Sequence, residues 1–213
     1  TLLDFPETTA CILWFAGCNM RCQYCYNPEI VFSNGKLSHG SVLSFLKKRQ
    51  GLLDGVVFSG GECTTHPQLL PIIESVKALG FKVKIDTNGS MPWVLEKILD
   101  LGLVDYMALD IKSTKTNYTK VTHSKLFGRI ERSLEMLLLS DCPFELRTTF
   151  HSDLHSCGDL EEMYRWLAAK GFEGPLYVQQ FVGEKVVIGE LGDSRKLTIT
   201  DLDAISGNFV LRN

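Results

Sequence analysis

An open, partial (β/α)6 barrel of parallel strands, with the active site at the C-terminal ends of the strands, is the α/β fold class that this sequence predicts. Three observations carry it. Short apolar runs rich in β-branched and aromatic residues alternate with segments of helical periodicity. The polar, chemistry-bearing residues fall just after those strands, as they do at the mouth of a (β/α) barrel. Finally, there are six strand–helix units, too few to close the usual eight-stranded ring.

Strands are expected at 9–15, 55–58, 82–86, 105–110, 144–150 and 176–181, and helices at 41–48, 68–79, 92–101, 125–139 and 160–169. Asp54-Gly55, Gly80 and Gly171 fall where helices should stop, and Ser38, Ser90 and Asp159 fall near plausible starts. In the fifth strand Phe144, Leu146, Thr148 and Phe150 alternate with Glu145, Arg147 and Thr149, which places charge on the inner face. Residues 1–213 are expected to form one domain, with a core over about 9–181 and a C-terminal extension over 182–213. Within that extension 186–188 is a candidate edge strand and 200–206 a candidate short helix. Thr1 is not a methionine and opens directly into the lead-in to a strand, so upstream residues are expected.

With 213 residues, 45% of them hydrophobic and 22% charged, the composition is that of a globular protein. A net charge of -3 and a pI near 6.0 give no broad basic field, so no nucleic-acid partner is expected. No apolar run approaches the roughly 18 residues of a membrane span, and the first residues lack the pattern of a secretory signal. The chain is therefore expected in the cytoplasm, with no membrane partner.

Three of the seven cysteines crowd into one loop, Cys18-Asn19-Met20-Arg21-Cys22-Gln23-Tyr24-Cys25. In a reducing compartment such crowding points to a metal or a catalytic thiol rather than a disulfide. Three thiolates on a compact loop suit three irons of a cubane [4Fe-4S] cluster and leave the fourth iron without a protein ligand. The alternative is a structural zinc site, which needs a fourth ligand; Cys11, Cys63, Cys142 and Cys157 show no paired spacing to supply one. Gly60-Gly61-Glu62 follows the second strand, Asp86-Thr87-Asn88-Gly89 the third, and Asp110-Ile111-Lys112 the fourth. Taken singly, the first two of these are turns and the third is a strand-end ion pair.

The cysteine loop with Tyr24 before its last cysteine, together with Gly60-Gly61-Glu62 after the second strand, resembles the radical S-adenosylmethionine (SAM) superfamily. The resemblance implies a [4Fe-4S] cluster on Cys18, Cys22 and Cys25, and SAM chelated to the open iron. It also implies reductive cleavage of SAM to methionine and a 5′-deoxyadenosyl radical. By the same resemblance Gly60 and Gly61 let backbone approach the cofactor, Glu62 accepts from the SAM ammonium, and Tyr24 offers a surface to the adenine. Asp86, Thr87 and Asn88 would lie at the ribose and methionine, and Gln180 would close the site from the sixth strand.

Asp86-Thr87-Asn88-Gly89 with Asp110-Ile111-Lys112 further resembles the glycyl-radical-enzyme activases, and the stretches 51–62 and 102–106 look closest to the activating proteins of anaerobic ribonucleotide reductases. That likeness, which covers most of the chain up to Phe181, implies a glycyl-radical enzyme as partner and orienting roles for Asp110, Lys112 and Arg147. It also implies a monovalent cation at Asp86, Thr87 and Asp110. The short gap between Cys25 and Gly60 leaves no room for an inserted ferredoxin domain, so electrons are expected from a flavodoxin or ferredoxin. The sequence departs from the pattern at Cys63, where relatives usually have proline, at Tyr26, where histidine is common, and at Gln179 and Gln180, where the formate-lyase activator has a histidine. A small-molecule enzyme such as a 7-carboxy-7-deazaguanine synthase, and a non-catalytic iron–sulfur or zinc protein, are the competing readings.

Overall fold

The computed structural model describes residues 1–183 and 186–212. Its order is β1 (Ala10–Phe15), α1 (Pro28–Val31), α2 (His39–Lys47), β2 (Gly55–Gly60), α3 (Leu69–Ala78), β3 (Lys82–Thr87), α4 (Pro92–Asp100), β4 (Tyr106–Asp110), α5 (Tyr118–Thr122), α6 (Phe127–Leu138), β5 (Phe144–Phe150), α7 (Cys157–Ala169), β6 (Leu176–Gln180), α8 (Ile199–Asp203) and β7 (Phe209–Arg212). The strands pair in chain order, all parallel, in one open sheet. The six expected strands are all present, and a seventh extends the expected six-unit barrel along β6.

Alternation along each strand divides the sheet into two chemistries. Val56 and Phe58, Val83 and Ile85, Met107 and Leu109, Leu146 and Phe150, and Leu176 and Val178 are buried in the apolar core beneath the helices. The other register row runs Ile12↔Val57↔Lys84↔Tyr106, with Asp86↔Ala108↔Glu145 and Asp110↔Arg147↔Tyr177 above it, and it faces the inside of the barrel. Phe5 packs with Ala10 and Val57 against Ile12 and Tyr106 and plugs the N-terminal end of the barrel. Residues at the strand C-termini, among them Cys18, Gly61, Thr87 and Lys112, line the cavity above it.

Helix boundaries follow their caps. Ser38 caps α2 as expected, accepting from Ser41 N. Asp159 is not the start of α7: Ser156 is the cap, and Asp159 answers it as the third residue of a capping box. Ser90 caps nothing, because α4 opens on Pro92 and Ser90 is buried against Asn19. The candidate strand at 186–188 has no strand geometry; Ile188 N donates to Cys25 O of the cysteine loop instead. The candidate helix at 200–206 is observed as α8, with Thr198 as its cap.

Candidate active site

β1 ends at Phe15, and Gly17, at φ +86, turns the chain into the cysteine loop. The loop is closed by Gly17 N donating to Ile30 O at 2.9 Å. Arg21 Nη1 donates to the carbonyls of Cys18 and Met20 at 2.6 and 2.7 Å and fixes the first half from within. The main chain is also tied to the last turn of α5, through Arg21 N to Thr122 O at 3.0 Å and Gln23 N to Val121 O at 2.9 Å. Cys18, Cys22 and Cys25 are free thiols that line one cavity of about 210 Å3. Burial raises the Cys18 thiol and pushes that of Cys22 up to about 12.

Gly60 and Gly61 bring the end of β2 against this loop. A methyl group on Gly61 would lie 2.0 Å from Gly17 O, and one on Gly60 would lie 2.4 Å from Phe15 N. Glycine is required there, most of all at Gly60 with φ +119. The next residue, Glu62, is only 2% exposed and ties β2 to β3. Its carboxylate accepts from Thr64 N at 3.1 Å, from Thr87 Oγ1 at 2.8 Å, from Asn88 N at 2.7 Å and from the Thr64 hydroxyl. Burial raises this carboxyl above its usual range and the donors pull against that rise. Asn88 Nδ2 in turn bonds Asn19 Oδ1 at 3.1 Å and lies 3.9 Å from Cys18 Sγ.

The far wall is ionic. Arg147 Nε donates to Asp110 at 2.9 Å and Nη1 lies 3.5 Å from Asp86; Lys112 Nζ meets the other oxygen of Asp110 at 2.9 Å. Below them Lys84, 1% exposed, reaches Asp86 at 2.6 Å and Glu145 at 3.8 Å. Arg212 of β7 closes the set on Glu145 at 2.9 Å. Burial disfavours the Asp110 carboxylate, but Arg147 and Lys112 outweigh it and hold the group down at about 2. Burial likewise works against the Lys112 ammonium, and Asp110 overrides it, so Lys112 stays charged.

Of the expected site residues, Cys18, Cys22, Cys25, Tyr24, Gly60, Gly61, Glu62, Asp86, Thr87, Asn88, Asp110, Lys112 and Arg147 all line this cavity. Gln180 does not. The period of two turns it outward, where it holds Leu197 through Nε2 to O at 2.6 Å and N to Oε1 at 3.1 Å. Gln179 faces the cavity in its place. Asp86, Thr87 and Asp110, expected around a monovalent cation, already have Lys84, Arg147, Lys112 and Glu62 as partners. Asp110 and Lys112 form no surface pair; their side chains are about one-fifth exposed inside the barrel.

Trp14 belongs to no motif that singles it out, although β1 alternation puts it beside Ile12 on the inner face; it is 54% exposed and lines the cavity. Cys63 is fully buried with Sγ 3.5 Å from Asp86 O, and burial holds it far above a reactive thiol, so it is inert packing. His151 and His155 are buried too, donating from Nε2 to Gly192 O and Lys112 O, each at 3.1 Å.

Among the described residues, no three His, Cys, Asp or Glu side chains converge tightly enough to hold a single metal ion. A cubane asks for a different arrangement, with one thiolate at each of three corner irons. Three free thiols lining one cavity are a donor set that fits that demand.

The family model described as the radical SAM superfamily matches residues 12–167. A Methanocaldococcus jannaschii protein named "putative glycyl-radical enzyme activating enzyme" is 29% identical over 169 residues, 76% of this chain and 69% of its own. The pyruvate formate-lyase-activating enzyme of Clostridium pasteurianum is 36% identical over 119 residues, 51% of this chain and 50% of its own. The 7-carboxy-7-deazaguanine synthase of Aquifex aeolicus is 40% identical over 81 residues, 38% of this chain and 36% of its own. Two of these three relatives are thus matched over half their length or less. In fold, the chain resembles the crystal structure of Streptococcus suis SuiB bound to S-adenosylmethionine, with a TM-score of 0.72 and 13% identity over 99% of this chain and 51% of that one. Among the described residues no helix is long and apolar enough to cross a membrane. With the family model spanning most of the sheet and both glycine-dependent loops, the chain belongs to the radical SAM superfamily.

Proposed function

We propose that this chain is a glycyl-radical-enzyme activase that cleaves SAM reductively and takes hydrogen from a backbone glycine of a partner, an anaerobic ribonucleoside-triphosphate reductase. The observation that carries the reading is the meeting of three thiols, a buried glutamate and a charged Asp110–Lys112–Arg147 wall in one cavity open at the strand ends. Cys18, Cys22 and Cys25 would hold the [4Fe-4S] cluster. When bound, that cluster supplies one electron to the SAM sulfonium, from a flavodoxin or ferredoxin donor in the cytoplasm.

The chain's own residues then bind and orient. Glu62 Oε2, with one donor from Asn88 N, keeps acceptor capacity for the SAM ammonium. Lys112, neutralised on one side by Asp110, presents the rest of its charge to a carboxylate or a peptide carbonyl. Arg147, clamped between Asp86 and Asp110, holds that wall rigid. Trp14, exposed on the edge strand, offers an apolar platform beside the mouth where a loop of a large substrate could lie.

Anaerobic reconstitution is expected to give a four-iron cluster whose reduced EPR signal changes on adding SAM, and Cys18→Ala, Cys22→Ala or Cys25→Ala should each abolish it. Offered with SAM and reductant, a partner carrying the glycine loop should gain a glycyl-radical doublet, and Lys112→Ala should keep the cluster signal while suppressing that doublet. The local identity to a 7-carboxy-7-deazaguanine synthase favours a second reading, a small-molecule radical enzyme. Turnover of a pterin-like substrate with no response to any glycyl-radical partner would select it.

A further inference from the structure

The outer side of the cysteine loop is covered by a segment beyond residue 167, where the family match ends. Ile188 N donates to Cys25 O at 3.1 Å and Gly189 N to Gln23 O at 2.8 Å. Gln23 is thereby held from both sides, since its own N–H donates to Val121 O at 2.9 Å. The fit is tight: a methyl group on Gly189 would lie 2.7 Å from Gln23 Cβ and 2.9 Å from its Cα. Farther along, the segment is fastened to the barrel rim. Gly192 O accepts from His151 at 3.1 Å, Arg195 N donates to Ser152 Oγ at 2.9 Å, and Leu197 bonds Gln180 in both directions. This is where Gln180 goes instead of into the site.

We propose that residues 188–197 are a strap that positions the cluster loop, with Ile188 and Gly189 as its positioning residues. The two bonds fall on the carbonyls of Gln23 and Cys25, in the turn that Cys25 N closes on Cys22 O at 3.0 Å. The strap therefore fixes the second and third thiols relative to each other before any iron arrives. This meets the general need of a multidentate site for ligands whose backbone is already ordered. Cys18 needs no strap, because Arg21 and Asn88 hold its end of the loop from inside. The proposal rests on the cluster reading for its purpose, but its geometry is testable without metal.

The test uses the full apo chain and two glycine variants. Gly189→Ala meets Gln23, whereas Gly192→Ala, whose added methyl finds nothing nearer than Asp153 Oδ2 at 3.8 Å, is the control within the same strap. Iodoacetamide labelling mapped by mass spectrometry should show Cys25 reacting about tenfold faster in Gly189→Ala than in the wild type, the factor that about 1.4 kcal/mol of local opening carries. Cys142, which the strap does not touch, should be unchanged, and amide exchange at Ile188 and Gly189 should quicken in parallel. Gly192→Ala should match the wild type throughout. After reconstitution Gly189→Ala should bind iron but give an altered EPR line shape, which a purely structural role would not produce. Equal labelling and exchange in Gly189→Ala and wild type would overturn the strap. Failure of the wild type to take up iron would overturn the cluster reading and leave the labelling result to stand on its own.

Discussion

On the β1–β2 side of the cavity the chain is held by main chain packed against main chain, whereas on the β3–β5 side it is held by ion pairs between long side chains. The first arrangement admits no atoms between its parts: Gly61 N–Glu62 N face Phe15 O and Gly17 O at 2.8 and 2.9 Å. The second gathers Lys84, Asp86, Asp110, Lys112, Glu145, Arg147 and Arg212, three acids and four bases, on one inner face. The difference follows from what each half has to do. A loop that presents thiols needs fixed backbone positions, and a wall that meets charged ligand groups needs charges that are already desolvated and oriented. Packing of the first kind fails by steric clash, and the second kind fails by leaving a charge without a partner.

The largest effect is therefore expected at Gly61. Gly61→Ala puts a methyl group 2.0 Å from a backbone oxygen that has no side-chain freedom to yield. A loss of about 3 kcal/mol or more is expected in urea unfolding, together with loss of any bound cluster. Stability within a few tenths of the wild type would mean that the β1 and β2 ends are not in contact as described.

The ionic half has its own breaking point at Lys84, 1% exposed and 2.6 Å from Asp86. Removing one member of a buried pair leaves the other uncompensated, at a cost of about 3–5 kcal/mol. Arg147 at 3.5 Å still reaches Asp86, so Lys84→Met is expected at the low end of that range. The double change Lys84→Met with Asp86→Leu should recover most of the loss, because two charges leave together. A double variant no better than the single one would show that these charges act independently.

Acid separates the two halves differently. His155 joins them, its ring tilted against that of Tyr24 with centroids 6.1 Å apart while its Nε2 holds Lys112 O. Burial lowers it from 6.5 to about 4, so the fold favours the neutral ring. A depressed folded value gives stability that is complete above about pH 6.5 and is lost as the pH falls toward 4, by up to about 3 kcal/mol. Asp110, held at about 2, adds a second loss only below its ordinary 3.8. Urea midpoints taken from pH 7 to pH 4 should fall for the wild type and stay flatter for His155→Gln, which keeps a donor but does not titrate.

Glu62 sits at the seam and belongs to both halves. Glu62→Gln removes the charge from a carboxylate with four protein donors and, in the proposed site, one ligand ammonium. Loss of that charge-assisted bond, about 1.5–3 kcal/mol, should weaken SAM binding by about one to two powers of ten in anaerobic titration. Unaltered affinity would confine Glu62 to holding β3 against β2.

How far the sequence discloses this site depends on the same division. Motifs made of backbone requirements are plain in it: Gly17, Gly60, Gly61 and the cysteine spacing are visible because few residue types meet those demands. Strand alternation also discloses Glu145 and Arg147 on one face of β5. Lys84 escapes notice, because a lysine in a strand is ordinarily solvated and only the curvature of the sheet buries it. The sequence points to Gln180 where Gln179 lines the cavity, because the strand's position is clear but its facing depends on the exact register. The seventh strand has only four residues, too short for its alternation to stand out from the extension around it. The segment 186–188 reads as a strand from Val186-Val187-Ile188, yet Ile188 N donates to Cys25 O and the next residue, Gly189, to Gln23 O, a pairing set by tertiary position.

The smallest effect is expected at that seventh strand, where Arg212 ends the ionic row. Its Nη2 meets Glu145 at 2.9 Å and its guanidinium lies 3.5 Å from the centre of the Tyr177 ring. Unlike Lys84 it is partly exposed, at 38%, so water screens the pair and replaces part of what is lost. Glu145 also keeps Lys84 and Arg147 within 4 Å, at 3.8 and 3.9 Å, when Arg212 is removed. Arg212→Met should therefore cost only about 1 kcal/mol in urea unfolding, most of it from the ion pair and the cation–π contact. Arg212→Lys should recover little, because a lysine cannot lie flat on Tyr177 while reaching Glu145. The comparison sharpens if Arg212→Met also loosens Arg147, seen as a lower affinity for SAM with an unchanged cluster spectrum. A loss as large as that of Lys84→Met would instead mean that the barrel's ionic interior is closed by β7, and that the charges on β3 and β5 depend on it.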